Sequence, residues 1–161
     1  MQKPVRLLND AEVQGYGVIA GRGLELVLTL GTGAGTALFR DGKLMPHMEL
    51  AQHPIRGKKT YDDYVGARAL KRKGKRKRNR RVHRTIKILL RLFSYDVLYI
   101  GGGNSQAIKL PPCGAFIVDN TAGITGGVRL WEVADITAQE VATSLDYGPN
   151  AASTSKRKRT V

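Results

Sequence analysis

The stretch Val27–Phe39, VLTLGTGAGTALF, consists of an apolar run, a loop with three glycines and a second apolar run. Leucine stands at every second position from 24 to 30, which predicts a strand entering the loop. Thr36–Arg40 predicts a strand that returns. Asp41-Gly42 predicts a hairpin turn after it, because both residues tolerate positive φ. The glycines are therefore expected to join two strands.

A loop of this kind has two interpretations. Backbone without side chains can approach a phosphate closely and point several amides at it, but an ordinary tight turn uses the same glycines. A P-loop would need Gly-Lys-Ser/Thr, and a dinucleotide fingerprint would need a helix after the glycines. Neither pattern is present. The candidate phosphate-binding residues are Gly31, Thr32, Gly33, Ala34 and Gly35.

Composition bounds the possible partners. The chain has 161 residues, with 27 Lys and Arg against 13 Asp and Glu, for a net charge of +14. This length suits one globular domain, and the charge favours a polyanionic partner. The single cysteine, Cys113, excludes an internal disulfide and fits a reducing compartment. No stretch is apolar enough for a membrane span or a signal peptide. We expect a soluble cytoplasmic protein with no membrane partner.

The N-terminal segment carries a candidate general base. Val5–Leu8 predicts a short strand, and Ala11–Ala20 predicts a helix. Asn9 or Asp10 would be its N-cap, which requires no chemistry. The alternative is that Asp10 is a carboxylate at the end of a strand beside a glycine loop, where α/β folds place a general base.

Leu44–His53, LMPHMELAQH, contains polar residues that could face a ligand: Glu49, Gln52 and His53. Taken singly, each of them is more typical of a solvated surface position. The two histidines of this stretch lack a metal-ligand spacing. The sequence therefore predicts no metal site here.

The strongest charge run follows a predicted helix at Tyr61–Leu70. It is Lys71–Arg81, KRKGKRKRNRR, and runs of this kind are usually solvated linkers. A further helix is predicted from about residue 79 to 94. Apolar residues at helical spacing would pack one of its faces, namely Val82, Ile86, Leu89, Leu90 and Phe93. A basic ridge would occupy the other face, formed by Arg80, Arg84, Lys87 and Arg91.

The C-terminal part begins with a buried-type strand at Val97–Ile100. That strand ends in Gly101, Gly102 and Gly103, which again suggests close approach of backbone to a ligand. Ala115–Val118 predicts another strand and Gly126–Val133 a last helix in which Trp131 packs. Residues 134–161 are expected to form a disordered basic tail. Its final Lys-Arg tetrad is typical of a solvated tail and, less often, of a nuclear signal.

These segments, in this order, resemble the ROK family of sugar kinases and repressors, and within it the polyphosphate or ATP glucokinases. The resemblance covers roughly residues 3–132. It rests on VRLLNDAEVQG (5–15), LTLGTGAGTALFRDGKLMPHMEL (28–50), LFSYDVLYIGGGN (92–104) and VDNTAGITGGVRLW (118–131). It implies an α/β fold, a mixed sheet flanked by helices. Residues 1–133 would form the second lobe of an actin-like, ribonuclease-H-like ATPase domain.

The resemblance also implies roles. Asp10 would take the proton from a hexose 6-hydroxyl, while Asn9, Glu49 and Gln52 would contact the sugar. Residues 31–35 would hold the transferred phosphoryl group of ATP or polyphosphate, supplied with Mg²⁺, and residues 101–103 would lie against the nucleotide. A homodimer is the usual assembly in such proteins.

The chain also departs from the family pattern. Nothing upstream of Val5 supplies the Asp-x-Gly-Gly loop of a first lobe, which suggests a truncated or fragmentary form. The Glu-x-Gly-His segment reads Glu49-Leu50-Ala51-Gln52, so a glutamine replaces the sugar-contacting histidine. The cysteine-rich zinc motif is missing, which predicts no zinc.

Two functions therefore remain open at this point. One is a hexose kinase that uses ATP or polyphosphate. The other is a non-catalytic protein, derived from a kinase, that binds RNA, DNA or polyphosphate. In either case the candidate polyanion-binding residues are Lys71, Arg72, Lys73, Arg80 and Arg84.

Overall fold

The computed structural model describes residues 6–109, 111 and 114–132, so Cys113 and the predicted tail lie outside the described residues. A five-stranded sheet in the order β3-β2-β1-β6-β7 is flanked by helices, and β4 and β5 form a separate two-stranded hairpin. The elements are α1 (Asp10–Val18), β1 (Leu24–Leu30), β2 (Ala34–Arg40), β3 (Lys43–Leu44), β4 (Pro54–Arg56), β5 (Lys59–Thr60), α2 (Tyr61–Val65), α3 (Ala67–Phe93), β6 (Val97–Gly101), a 3₁₀ turn (Ser105–Ala107), β7 (Ala115–Ile117) and α4 (Ala122–Glu132).

The sheet is mixed, as the sequence predicts. β1 and β2 are antiparallel from Leu24↔Arg40 to Leu30↔Ala34, so the glycine loop joins two paired strands. β1, β6 and β7 run parallel to one another. The turn from β2 to β3 has positive φ at Asp41 (49°) and Gly42 (80°), which confirms the predicted hairpin turn.

Alternation along β1 divides the core between the two faces of the sheet. Leu26, Leu28 and Leu30 pack with residues of α2 and α3 on one face. Val27 packs with residues of α1 and α4 on the other. Both faces of the central strand are therefore buried, from Glu25 to Leu30.

Helices α1 and α4 cross at backbone contact. A Cβ placed on Gly126 would lie 1.7 Å from the Val13 carbonyl oxygen, and one on Gly17 would lie 2.0 Å from the Ala122 carbonyl oxygen. Glycine is needed at both positions because no side chain fits between the two backbones. This contact fixes α4 against the helix that carries Asp10.

The basic run was expected to be a linker but is helical: α3 consists of two helical stretches that meet at a non-helical residue within the run. Lysine and arginine are good helix formers, and the buried side of α3 extends into the run. The one interruption is Gly74, with φ 72° and ψ 163°. The predicted helix at residues 61–70 is likewise divided, because the extended backbone of Gly66 separates α2 from α3.

Three further expectations need correction. Residues 6–8 of the predicted first strand pair with no strand of the described sheet, and Leu7 is 95% exposed. Leu90 is exposed rather than packed, because it lies beside the basic ridge. The last helix begins at Ala122, four residues early, and Trp131 is half exposed with the Arg6 guanidinium 5.2 Å from its ring centroid.

A buried carboxylate fixes the turn between α1 and β1. Glu25 is fully buried and accepts hydrogen bonds from the amides of residues 20, 21 and 22 and from the Tyr99 hydroxyl. Burial and this carboxylate raise the pKa of Tyr99. Because four donors surround it, the charge of Glu25 is compensated without an ion pair.

Within the described residues, none of the helices combines the length and apolar character needed to cross a membrane.

Candidate active site

A cleft of about 230 Å³ opens where α1 begins and β1 ends. It brings together residues that are distant in the sequence: the helix cap, the glycine loop, the segment after β3 and the start of α2. Its lining includes most of the predicted site, namely Asn9, Asp10, Gly31, Thr32, Gly33, Ala34, Gly35 and Glu49, together with Thr29, Ala51 and Asp62.

Asp10 faces the glycine loop from the first turn of α1. Asn9 is the N-cap: its side chain accepts from the Ala11 amide, and the Glu12 carboxylate accepts from the Asn9 amide 2.8 Å away. Asp10 is exposed in the cleft, and its Oδ1 lies 3.2 Å from where a Cβ of Gly35 would be. The same oxygen accepts from the Ala11 amide at 2.8 Å, so the Asp10 carboxylate is held against the first turn of α1 while it faces the loop.

The glycine loop is held in shape by backbone bonds and by Asp62. The Gly31 amide donates to the Gly33 carbonyl at 3.1 Å, and the Ala34 amide donates to Asp62 Oδ1 at 2.8 Å. In the described part of the chain, the amides of Thr32 and Gly33 donate no hydrogen bond. Two adjacent amides at the loop tip are therefore available to an anion.

We predict that Gly33→Ala disturbs this loop more than Gly31→Ala does. A Cβ on Gly33 would lie 2.4 Å from Asp62 Oδ1, whereas a Cβ on Gly31 would meet nothing within 4 Å. Calorimetric titration with Mg·ATP or tripolyphosphate should show about tenfold weaker binding for Gly33→Ala, because one lost charge-assisted hydrogen bond is worth roughly 1.5–3 kcal/mol. Gly31→Ala should bind within about twofold of wild type. Equal effects of the two substitutions would contradict the assigned loop geometry.

The segment after β3 is tied to the start of α1 through His47. Its Nδ1 lies 2.9 Å from Glu12 Oε1, and its Nε2 lies 3.7 Å from Glu49 Oε2. Glu12, largely buried, thus links the Asn9 backbone to the ring that borders Glu49. The sequence analysis considered His47 only as a metal ligand. The capping-box spacing from Asn9 to Glu12 was the signal that could have pointed to this link.

Gln52 does not line the cleft directly. Its side chain is exposed and donates to Asp62 Oδ2 at 3.0 Å. One oxygen of Asp62 accepts from Gln52 and the other from the Ala34 amide. Asp62 therefore connects the predicted sugar-contacting glutamine with the glycine loop. Asp62 is not among the residues predicted for the site, so its place in the cleft was missed.

The three glycines at the end of β6, residues 101–103, lie beside the start of the glycine loop rather than in the cleft lining. A Cβ on Gly102, with φ 86°, would lie 2.7 Å from the Leu30 backbone, and one on Gly101 would lie 2.4 Å from Gln14 Oε1. Close packing therefore accounts for glycine at both positions without a ligand. Gly103 is exposed, with Asn120 Nδ2 3.9 Å from its Cβ position. The next residue, Asn104, donates to the Gly31 carbonyl at 3.0 Å.

One arginine of the basic run is fully buried behind the loop. Arg78 donates from Nε to the Val65 carbonyl and from Nη1 to the Asn104 carbonyl, both at 3.0 Å. Burial lowers its pKa from the usual value. It thereby joins the end of α2 to the turn after β6, the two segments against which the glycine loop rests. No sequence signal separates Arg78 from its solvated neighbours.

The predicted polyanion-binding residues are exposed along α3: Lys71, Arg72, Lys73, Arg80 and Arg84. The helix begins beside the loop, since the Ala67 amide donates to the Thr32 carbonyl at 3.1 Å. Lys71–Lys73 therefore follow about 6–9 Å further along the helix axis. Arg80 and Arg84 lie further along, on the ridge predicted from the sequence.

Comparison with known proteins gives relatives of one kind. No protein-family model matches the chain. It is 33% identical to the polyphosphate glucokinase of Mycobacterium leprae, over 83% of this chain and 45% of that protein. It is 30% identical to the polyphosphate glucokinase of Mycobacterium tuberculosis, again over 83% of this chain and 56% of the relative. The chain thus spans about half the length of the curated relatives it matches.

Solved structures agree with these relatives. The inorganic polyphosphate/ATP-glucomannokinase of Arthrobacter sp. strain KM superposes with a TM-score of 0.66 at 30% identity, covering 82% of this chain and 58% of that one. A ROK family glucokinase from Streptomyces griseus superposes with a TM-score of 0.64 at 17% identity, covering 79% and 68% respectively, which supports the fold. By sequence this chain is similar to polyphosphate glucokinases over about half of their length, and its fold is similar to that of a ROK family glucokinase.

Proposed function

We propose that the chain is the catalytic part of a hexose kinase that transfers a phosphoryl group from polyphosphate or ATP to the 6-hydroxyl of glucose. The observation that carries this proposal is the juxtaposition of Asp10 with the Gly31–Gly35 loop in one open cleft. A base and a phosphate cradle a few ångströms apart are what phosphoryl transfer to a hydroxyl requires. The choice of sugar and of the two donors follows the names of the relatives, polyphosphate glucokinase and polyphosphate/ATP-glucomannokinase.

In this mechanism the chain contributes positioning and electrostatics. Asp10 accepts the proton of the attacking hydroxyl, and the exposed Glu49 accepts hydrogen bonds from other sugar hydroxyls. The amides of Thr32 and Gly33 donate to the phosphoryl oxygens, where charge is concentrated during transfer. Buried Arg78 adds a positive charge behind the loop that favours an anionic donor.

The cleft fits a Mg²⁺ ion that arrives with the donor. Mg²⁺ commonly uses one or two carboxylates together with the phosphates of a substrate, and Asp10 and Asp62 both line the cleft. The described residues contain no group of three or more His, Cys, Asp or Glu placed to hold a metal ion, so a dedicated protein cage is not part of the proposal. When bound, Mg²⁺ neutralises charge on the donor phosphates.

A coupled assay for glucose 6-phosphate tests the proposal, with the purified chain, glucose, Mg²⁺ and either polyphosphate or ATP. We expect formation of glucose 6-phosphate that requires both sugar and donor. A folded chain that binds either donor and yields no sugar phosphate would contradict the proposal. The cytoplasm, where such donors and sugars meet, is the location we propose.

The basic residues at the start of α3 should matter more for polyphosphate than for ATP. Replacing Lys71, Arg72 and Lys73 together by glutamine removes three exposed charges near the loop. We expect kcat/KM with long polyphosphate to fall about tenfold, because several weak phosphate contacts are lost at once, and kcat/KM with ATP to change less than threefold. Equal loss with both donors would rule out a role for these residues in polyphosphate use.

The second candidate function is a non-catalytic polyanion binder, and the exposed basic face of α3 favours it. Binding of this kind weakens steeply with salt and does not depend on Asp10.

Light scattering of the purified chain tests the homodimer that the family resemblance suggests.

A further inference from the structure

A second pocket, of about 420 Å³, lies away from the cleft, between the β4–β5 hairpin and α3. Its lining consists of Arg56, Gly57, Lys59, Tyr64 and Arg81. Three of these five residues are cations and none is acidic. They come from β4, β5 and α3, so the fold gathers charges that are far apart in the sequence. Like charges gathered around one concave surface create a strongly positive potential.

No carboxylate among the residues that the structure describes forms an ion pair with a cation of this pocket. Within the described residues, the ion pairs involve only His47 with Glu12 and Glu49. The nearby carboxylates serve elsewhere: Asp63 accepts from the amide of Thr60, the N-cap of α2, and Asp62 accepts from the Ala34 amide of the glycine loop. Arg56, Lys59 and Arg81 therefore lack a carboxylate partner, which leaves the pocket suited to an external anion.

One of the cations is held in place before any ligand binds. The Arg81 guanidinium stacks on Tyr64 with its carbon 4.8 Å from the ring centroid, and its Nη1 donates to the Tyr64 carbonyl at 3.3 Å. Tyr64 is itself buried in the core. A guanidinium fixed in this way loses less conformational entropy when it binds a phosphate than a free side chain does.

Helix α2 lies between the pocket and the phosphate-loop cleft. Asp62 lines the cleft, and Tyr64, two positions later, lines the pocket. Residues two apart project about 200° from one another around a helix, so the two cavities lie on opposite sides of a single helical turn. A linear polyanion longer than a triphosphate could occupy both, whereas a donor confined to the cleft would reach only one.

We propose that this pocket is a distal subsite for inorganic polyphosphate, which holds phosphate units remote from the one in the cleft. The inference rests on the proposed function for the choice of polyanion. A flexible chain of phosphates suits the pocket because its cations offer charge without an aromatic pair on which bases would stack. A polyphosphate chain that occupies both the cleft and the pocket would bind more tightly, because binding at one of them raises the effective concentration of phosphate at the other.

The test is equilibrium binding of fluorescent long-chain polyphosphate, tripolyphosphate and single-stranded poly(U), without glucose, so that no turnover is needed. The test variant is Arg56→Gln/Lys59→Gln. The matched control is Arg40→Gln/Lys43→Gln, which removes two exposed charges beside the turn between β2 and β3, away from the pocket and from α3. Arg81→Lys keeps the charge but loses the planar stack on Tyr64.

We expect the test variant to bind long polyphosphate about tenfold more weakly and to keep wild-type affinity for tripolyphosphate. The slope of log Kd against log salt should fall by about 1.4, as for two contacts with a single-stranded polyanion. Arg81→Lys should weaken binding of long chains severalfold, and the control pair should change it less than twofold.

Three results would overturn the proposal: equal losses in the test and control pairs, loss with tripolyphosphate as large as with long chains, or tighter binding of poly(U) than of polyphosphate at equal charge. The last of these would assign the pocket to RNA. These binding measurements need no phosphorylation of a sugar. Failure of the proposed catalysis and failure of the subsite are therefore distinguishable.

Discussion

Asp10→Asn is expected to lower the rate of glucose phosphorylation by about 10²–10⁴-fold, the contribution typical of a general base. The amide has nearly the same shape but cannot take the proton of the attacking hydroxyl. The side chains of Asn9 and Asp10 both accept from the Ala11 amide, at 3.0 and 2.8 Å, and an asparagine at position 10 keeps an oxygen for that bond, so Asn9 would still cap α1. The affinity for the donor should therefore stay within about twofold of wild type, and the loss of rate should appear in kcat. Stopped assays at saturating donor and sugar measure it.

The matched control is Asp41→Asn. Asp41 lies in the turn between β2 and β3, with φ 49°, and accepts a hydrogen bond from the Gly23 amide. Asparagine tolerates this backbone conformation and can accept the same bond, so the substitution removes one carboxylate outside the cleft. Its kcat should stay near wild type. An Asp10→Asn enzyme with more than a third of wild-type kcat would remove Asp10 from the mechanism.

The largest effect on stability is expected for Gly126→Ala. The added methyl group would lie 1.7 Å from the Val13 carbonyl oxygen and 3.0 Å from the Gly17 amide, and both are backbone atoms that a side-chain rotation cannot move. Helices α1 and α4 would have to separate. Overpacking of this kind costs about 3 kcal/mol or more of unfolding free energy. Urea unfolding should show a lower midpoint at an unchanged slope.

Gly127→Ala is the matched control, one position along the same helix. A Cβ there meets nothing within 4 Å. Alanine has a higher helix propensity than glycine by about 1 kcal/mol, so this variant should be as stable as wild type or slightly more stable. Similar destabilisation by the two substitutions would mean that α1 and α4 are not in the contact described.

Local patterns in the sequence were sufficient for the central hairpin. The alternating leucines of β1, the glycine loop and the Asp41-Gly42 turn each constrain neighbouring residues only, and the structure has all three. The Asn9 cap is similarly local. The mixed sheet between helices came from the order of these segments and from the family resemblance they support.

Contacts between residues far apart in the sequence determine the features that local patterns did not predict. The charge run around residue 78 has the composition of a solvated linker, yet Arg78 is buried because the Val65 and Asn104 carbonyls meet beside it. Asp62 lies in the cleft because the start of α2 rests on the glycine loop. Residues 6–8 have strand-forming side chains and no strand to pair with in the described sheet. None of these partners is near in sequence.

Amide resonances of the isotope-labelled chain, titrated with Mg·ATP or tripolyphosphate and then with glucose, test most directly whether Asp10 and the loop form one phosphoryl-transfer cleft. The account predicts donor-induced shifts at Thr32 and Gly33 and glucose-induced shifts at Asp10, with Gly127 unchanged. Shifts confined to the exposed basic residues of α3, with the loop unaffected, would contradict a kinase cleft and leave a polyanion-binding protein.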